Sequence, residues 1–163
     1  MEWLDARKRL SEFAIREHRE LTDEERKQLQ YLYSEKIEAF LDAGHGSCVL
    51  KKAEIAEVVK NALEFSNNQK YKLHAWCIMP NHVHIAFQLM DGISQSDVLQ
   101  SWKSFTSHVI NKMLKRKGPF WQADSYNHII RSQSEYYQQI RYIWNNPDKA
   151  GFESWKWRWK CIE

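Results

Sequence analysis

The chain has 163 residues, with 24 Lys or Arg against 21 Asp or Glu and a formal net charge of +3. That length holds one domain with a real core and is short for two, and 13% aromatic residues beside five Gly and three Pro exclude a disordered chain. No run approaches the ~18 apolar residues of a membrane span, the N-terminus carries charges where a signal peptide is apolar, and the cysteines at 48, 77 and 161 form no CxxC pair. The reading is a cytoplasmic protein with free thiols and no membrane association, whose mild basic bias permits a nucleic-acid partner.

Helices are predicted over 2–19 and 23–43, the second opening on the capping pattern Thr22-x-x-Glu25 and stopping at Gly44. Cys48-Val49-Leu50 leads to a helix over 52–66 with Ile55, Val58, Val59 and Ala62 facing inward. Strands over 71–79 and 82–89 are joined by Pro80-Asn81, residues that suit a tight turn. A helix over 95–116 presents Val98, Trp102, Phe105, Val109 and Met113, then ends at Gly118-Pro119. Residues 125–131 alternate as a strand. A last helix over 134–146, with Tyr137, Ile140, Ile143 and Trp144 as its apolar stripe, frays at Asn146-Pro147, because a residue preceding proline is pushed out of the α region. The order predicts one α+β domain, an antiparallel sheet with helices on one face and the 82–89 strand central beside 71–79. Residues 1–43 form a helical extension, 45–151 the core and 152–163 a tail. In that tail, Trp155-Lys156-Trp157-Arg158-Trp159-Lys160 sets three indoles on one side of an extended chain. The indoles either pack on the domain or stack on unpaired bases.

The densest chemistry lies in Met79-Pro80-Asn81-His82-Val83-His84. Alternate strand residues share a face, so His82 and His84 emerge together, ~7 Å apart along the chain, while Val83, Ile85, Phe87 and Leu89 point into a core. Such a pair can share one divalent cation; a half-buried pair that only hydrogen-bonds is the plainer alternative. Tyr142 and Asn146 sit four apart on the last helix, hence on one face. They suit a nucleophile and a third oxygen ligand, against a structural tyrosine before a helix stop. His74 and His128 fall on neighbouring strands and either could join.

These words, with Ser101-Trp102-Lys103-Ser104-Phe105-Thr106, Phe120-Trp121-Gln122, Tyr126 through Arg131 and Tyr142-Ile143-x-x-Asn146-Pro147-x-Lys149-Ala150-Gly151, resemble the single-tyrosine HUH transposases. The resemblance is closest to their REP-associated tyrosine transposase branch and runs from about Leu41 to Gly151. It implies a ferredoxin-like HUH endonuclease fold that cleaves and joins single-stranded or hairpin DNA through a 5′-phosphotyrosine, using Mg2+ or Mn2+. His82 and His84 match the family's metal-binding pair, Tyr142 its nucleophile and Asn146 its third ligand. Lys103, Ser104, Lys115, Arg116, Arg131 and Arg141 are candidates for DNA contact, each with a solvated surface role as the alternative.

Relatives begin with an apolar strand that pairs beside the metal-binding strand. Nothing before residue 45 reads as one, so that first strand is expected to be missing. The tryptophan tail or a neighbouring subunit could take the vacant edge, which leaves a homodimer open. A domesticated, truncated copy that binds DNA without cleaving it is the competing reading.

Overall fold

The computed structural model describes residues 16–17, 22, 25, 40–41, 44–123 and 125–161. The chain divides into two compact units, Met1–Gly46 and Ser47–Glu163. In the first, the capping box is formed. The Thr22 hydroxyl accepts from the Glu25 N–H at 3.2 Å, and the Glu25 carboxylate accepts from the Thr22 N–H at 2.8 Å. Gly44, at φ +77°, donates to the Leu41 carbonyl. The predicted helices over 2–19 and 23–43 otherwise lie outside the described residues.

The second unit opens with a 3-10 turn, Val49–Lys51, and continues through α1 (Ala53–Phe65), β1 (Tyr71–Ile78), β2 (Val83–Leu89), α2 (Gln95–Met113), α3 (Gln133–Lys149) and β3 (Arg158–Lys160). The fold class is α+β, as the sequence predicts. The antiparallel sheet runs β2-β1-β3. The hairpin turns at Pro80-Asn81, closed by Met79 N–H on the His82 carbonyl.

Four expectations are corrected. First, β1 is the central strand, and β2 is an edge strand among the described residues. The tail supplies the difference: Arg158–Lys160 pairs with Ala75–Cys77 of β1. Second, residues 125–131 form no strand among the described residues. The tail already holds the free edge of β1, and the Arg131 N–H goes to the Glu135 carboxylate at 2.7 Å. Third, α3 does not stop before the proline but continues to Lys149. Pro147 removes the N–H that would serve the Ile143 carbonyl, and the helix around it is held by other bonds. Arg158 donates to the Trp144 carbonyl at 2.8 Å. The helix then closes in a Schellman turn, with Phe152 N–H on Pro147 O and Gly151 N–H on Asp148 O. Gly151 takes φ +77°, a region other residues rarely adopt. Fourth, helices cover both faces of the sheet. Helices α1 and α2 pack on one face, as expected, and α3 lies on the face that carries the histidines.

A bulge between Leu73 and Ala75 lets β1 serve both layers. Tyr71, Leu73, Trp76 and Ile78 join Val59, Leu63, Val98, Trp102 and Ile110 on the α1/α2 side. There the Trp102 indole N–H donates to the Tyr71 hydroxyl at 3.0 Å, which donates to the Leu63 carbonyl at 2.7 Å. Ala75, Cys77 and Met79 meet Ile140 and Ile143 on the other side. The buried stripe of α2 is Val98, Trp102, Thr106 and Ile110, so Phe105 and Met113 of the predicted stripe are exposed. Thr106 can be buried because its hydroxyl donates to the Trp102 carbonyl and accepts from the Trp121 indole. On α3 the inward tyrosine is Tyr136, bonded to His74, whereas Tyr137 is exposed. The tail indoles largely pack: Trp157 is buried and Trp155 donates to the Ile78 carbonyl.

Candidate active site

The hairpin and α3 build the site from opposite sides. Turn closure at Met79 and His82, and the β2 register that sets His84 opposite Cys77, put both histidines on the α3 face. Their Nε2 atoms stand 3.0 Å apart with the rings perpendicular. The Asn81 side-chain oxygen lies 2.8 Å from His82 Nδ1. If His82 donates Nδ1–H there, its Nε2 carries a lone pair, which accepts from His84 Nε2–H. Burial holds both imidazoles in the neutral form, His82 lowered to about 4 and His84 to about 3, the latter also by its neighbour.

From the other side, Tyr142 sets its ring edge-on to His84, centroids 5.4 Å apart. One turn on, the Asn146 amide donates to the Tyr142 hydroxyl at 3.1 Å. Asn146 is 1% exposed, and its own side-chain oxygen is buried without a hydrogen-bond partner. An orphaned buried carbonyl costs about 1–3 kcal/mol, and it stands one helical turn from the Tyr142 phenol.

The residues fit a divalent cation. Two imidazole nitrogens bound at right angles, each ~2.1 Å from one ion, stand about 3 Å apart, the observed separation. The Asn146 oxygen adds a hard, neutral donor nearby. Among the described residues no cluster of three or more His, Cys, Asp or Glu could hold a metal, so a metal here would depend on this mixed set.

The other candidates are dispersed. His74 and His128 do not join the pair. His74 faces Tyr136 at 3.0 Å, and His128 pairs with Glu135 at 2.6 Å. Lys103 and Ser104 line a cleft of about 680 Å3 between α2 and residues 119–127. Its helix packs against the opposite face of the sheet. Lys103 donates there to the carbonyls of Gln122 and Ala123, latching the loop. Lys115 and Arg116 are exposed beyond the end of α2, where Arg116 donates to the Pro119 carbonyl. Arg131 and Arg141 are exposed at the start and along the length of α3. Sequence reasoning passed over Lys149, whose ammonium lies 4.9 Å from the centroid of the Tyr142 ring. A helical spacing of seven was the available signal.

This hairpin-and-helix site belongs to a recognisable class of DNA-processing proteins: residues 47–146 match the family described as Transposase IS200 like, and the chain belongs to that family. It is similar to the REP-associated tyrosine transposase of Escherichia coli (strain K12), 23% identical over 55% of this chain and 52% of that protein. It is also similar to a putative REP-associated tyrosine transposase of Haemophilus influenzae, 26% identical over 48% of this chain and 50% of that protein. The chain thus spans about half the length of the curated relatives it matches. No solved structure matches it. No helix among the described residues is long and apolar enough to cross a membrane.

Proposed function

We propose that this protein nicks and rejoins single-stranded DNA through a 5′-phosphotyrosine on Tyr142, acting on hairpin or palindromic DNA as the family resemblance implies. The observation that carries the reading is the convergence of paired imidazole nitrogens, a phenol and an orphaned amide oxygen on one face of the sheet. His82, His84 and Asn146 would hold Mg2+ or Mn2+. Bound there, the ion would polarise a non-bridging phosphate oxygen and favour the phenolate. Asn146 aims the phenol through its hydrogen bond. The phenol oxygen forms a bond to phosphorus as the bond to the preceding 3′ oxygen breaks. The phenol proton is lost, the departing 3′ oxygen gains one, and no redox change occurs. The new phosphotyrosine conserves the bond energy, so a 3′ hydroxyl can reverse the step, which hydrolysis would forbid.

A non-catalytic DNA-binding copy is the second reading, favoured by the edge position of β2 among the described residues, where the family resemblance implies a further strand. One assay separates them. The full chain is mixed with Mn2+ and a labelled single-stranded hairpin, and the products are run on a denaturing gel. A covalent protein–DNA band supports the enzyme; retarded DNA in a native gel with no covalent band supports the binder.

A further inference from the structure

Tyr142 lies between the hairpin and the buried Asn146 amide, its ring meeting His84 and its hydroxyl accepting from that amide. A phosphodiester brings a negative charge to this surface. One cation of the chain is already in place. Lys149 is two helical turns from Tyr142 on the same face, because α3 runs unbroken through Pro147. Its Nζ lies 4.9 Å from the ring centroid, and the residue is exposed. An exposed cation over a half-buried ring is weakly held, and an ammonium on a four-carbon stem swings readily to a nearby oxygen anion. Two other described cations near this end of α3 are held elsewhere. Arg158 is paired to Asp148 and to the Trp144 carbonyl, and Lys160 lies over the Trp144 ring.

We propose that Lys149 is a catalytic residue that binds the scissile phosphate: its ammonium leaves the face of the Tyr142 ring to pair with a non-bridging oxygen of the phosphodiester and stays with the phosphotyrosine. Before DNA arrives, the same contact keeps the charge parked beside the phenol. The assignment rests on Tyr142 being the nucleophile.

The test uses the full chain with Lys149→Met and Lys149→Arg, each made alone and in a Tyr142→Phe background. With Mn2+ and a labelled single strand, Lys149→Met should slow adduct formation about 10- to 100-fold. Lys149→Arg should stay within about 5-fold of the parent, because the charge is kept. In the Tyr142→Phe background, where no chemistry occurs, fluorescence anisotropy gives log affinity against log salt concentration. Losing one phosphate contact should reduce that slope by about 0.7 in Lys149→Met. An unchanged slope overturns the assignment whatever the rate does, and so does an unchanged adduct rate in Lys149→Met. If the unsubstituted chain forms no adduct, the nucleophile reading has failed instead, and the slope alone still decides whether Lys149 meets phosphate.

Discussion

Asn146 gives its amide N–H to the Tyr142 hydroxyl at 3.1 Å while its carbonyl oxygen, buried one turn along α3, accepts nothing. The two halves of one amide are thus used unequally. A polar group kept buried and unsatisfied costs stability.

Replacing that amide should therefore separate stability from binding. In Asn146→Leu the orphaned oxygen disappears while the number and branching of the side-chain heavy atoms are kept. The metal-free protein should be as stable as its parent or up to about 2 kcal/mol more stable in urea unfolding. Mn2+ affinity in calorimetry should fall at least about 10-fold. A Leu variant that is destabilised yet binds Mn2+ normally would show that Asn146 is a core amide and no ligand.

The histidine pair sets a pH dependence. Unfolded, both imidazoles titrate near 6.5; folded, they are lowered to about 4 and about 3. The unfolded state then binds more protons over that interval. Stability of the metal-free protein should be flat above pH 6.5 with respect to this pair. It should fall as pH drops below 6.5, by up to about 1.4 kcal/mol per pH unit for each histidine, and level off near pH 3. Replacing both by Asn should flatten the denaturant-midpoint profile between pH 6.5 and 4. A profile equally steep in the double variant would assign the loss to other groups.

The same neutral rings predict that Mn2+ binding, measured by calorimetry, changes little between pH 8 and 5, since the His84 proton need only move from Nε2 to Nδ1, with no net release. His82→Ala or His84→Ala should abolish that binding while leaving the circular dichroism spectrum unchanged. Undiminished Mn2+ uptake in either variant would remove the pair from the site.

Local patterns carried much of this fold and site. Alternation placed His82 and His84 on one face and Val83, Ile85 and Phe87 on the other, and a two-residue turn at Pro80-Asn81 needed only those two residues. What escaped depends on partners remote in sequence. The helix runs on past Pro147 with Arg158, in the tail, bonded to the Trp144 carbonyl. The rotation of α2 that buries Thr106 depends on the Trp121 indole. The central place of β1 was legible after all. Ala75 through Met79 is an unbroken apolar run, the pattern of a strand covered on both faces, whereas β2 alternates.

Arg158 should accordingly matter to the helix that bears the site. It bonds the Trp144 carbonyl, pairs with Asp148 at 2.6 Å and lies over the Trp144 ring. Arg158→Met keeps much of the stem but loses the charged hydrogen bonds, at about 1–3 kcal/mol in urea unfolding. Hydrogen exchange should quicken first at the amides of residues 148–152, beyond the proline. Uniform quickening across the sheet would place the role of Arg158 in global stability and not in α3.

Tyr142 is the sharpest assignment. Among the described tyrosines it is the one whose hydroxyl meets Asn146 and whose ring meets His84. Its nearest rival, Tyr136, also lies on the inner side of α3, but its hydroxyl faces His74 Nδ1 at 3.0 Å and Cys161 Sγ at 3.5 Å. Tyr142→Phe removes one oxygen and almost no volume from a half-buried position. It costs the Asn146 amide one acceptor, so stability should change by only about 1 kcal/mol. DNA affinity should be kept, because phosphate contacts elsewhere are untouched. The covalent adduct should vanish from denaturing gels, whereas Tyr136→Phe should retain it. Peptide mass spectrometry of the unsubstituted adduct should place the 5′-phosphonucleotide on the peptide containing Tyr142. An adduct that persists in Tyr142→Phe, or a nucleotide found on the peptide of another residue, would end this assignment and leave the hairpin histidines in search of a different nucleophile.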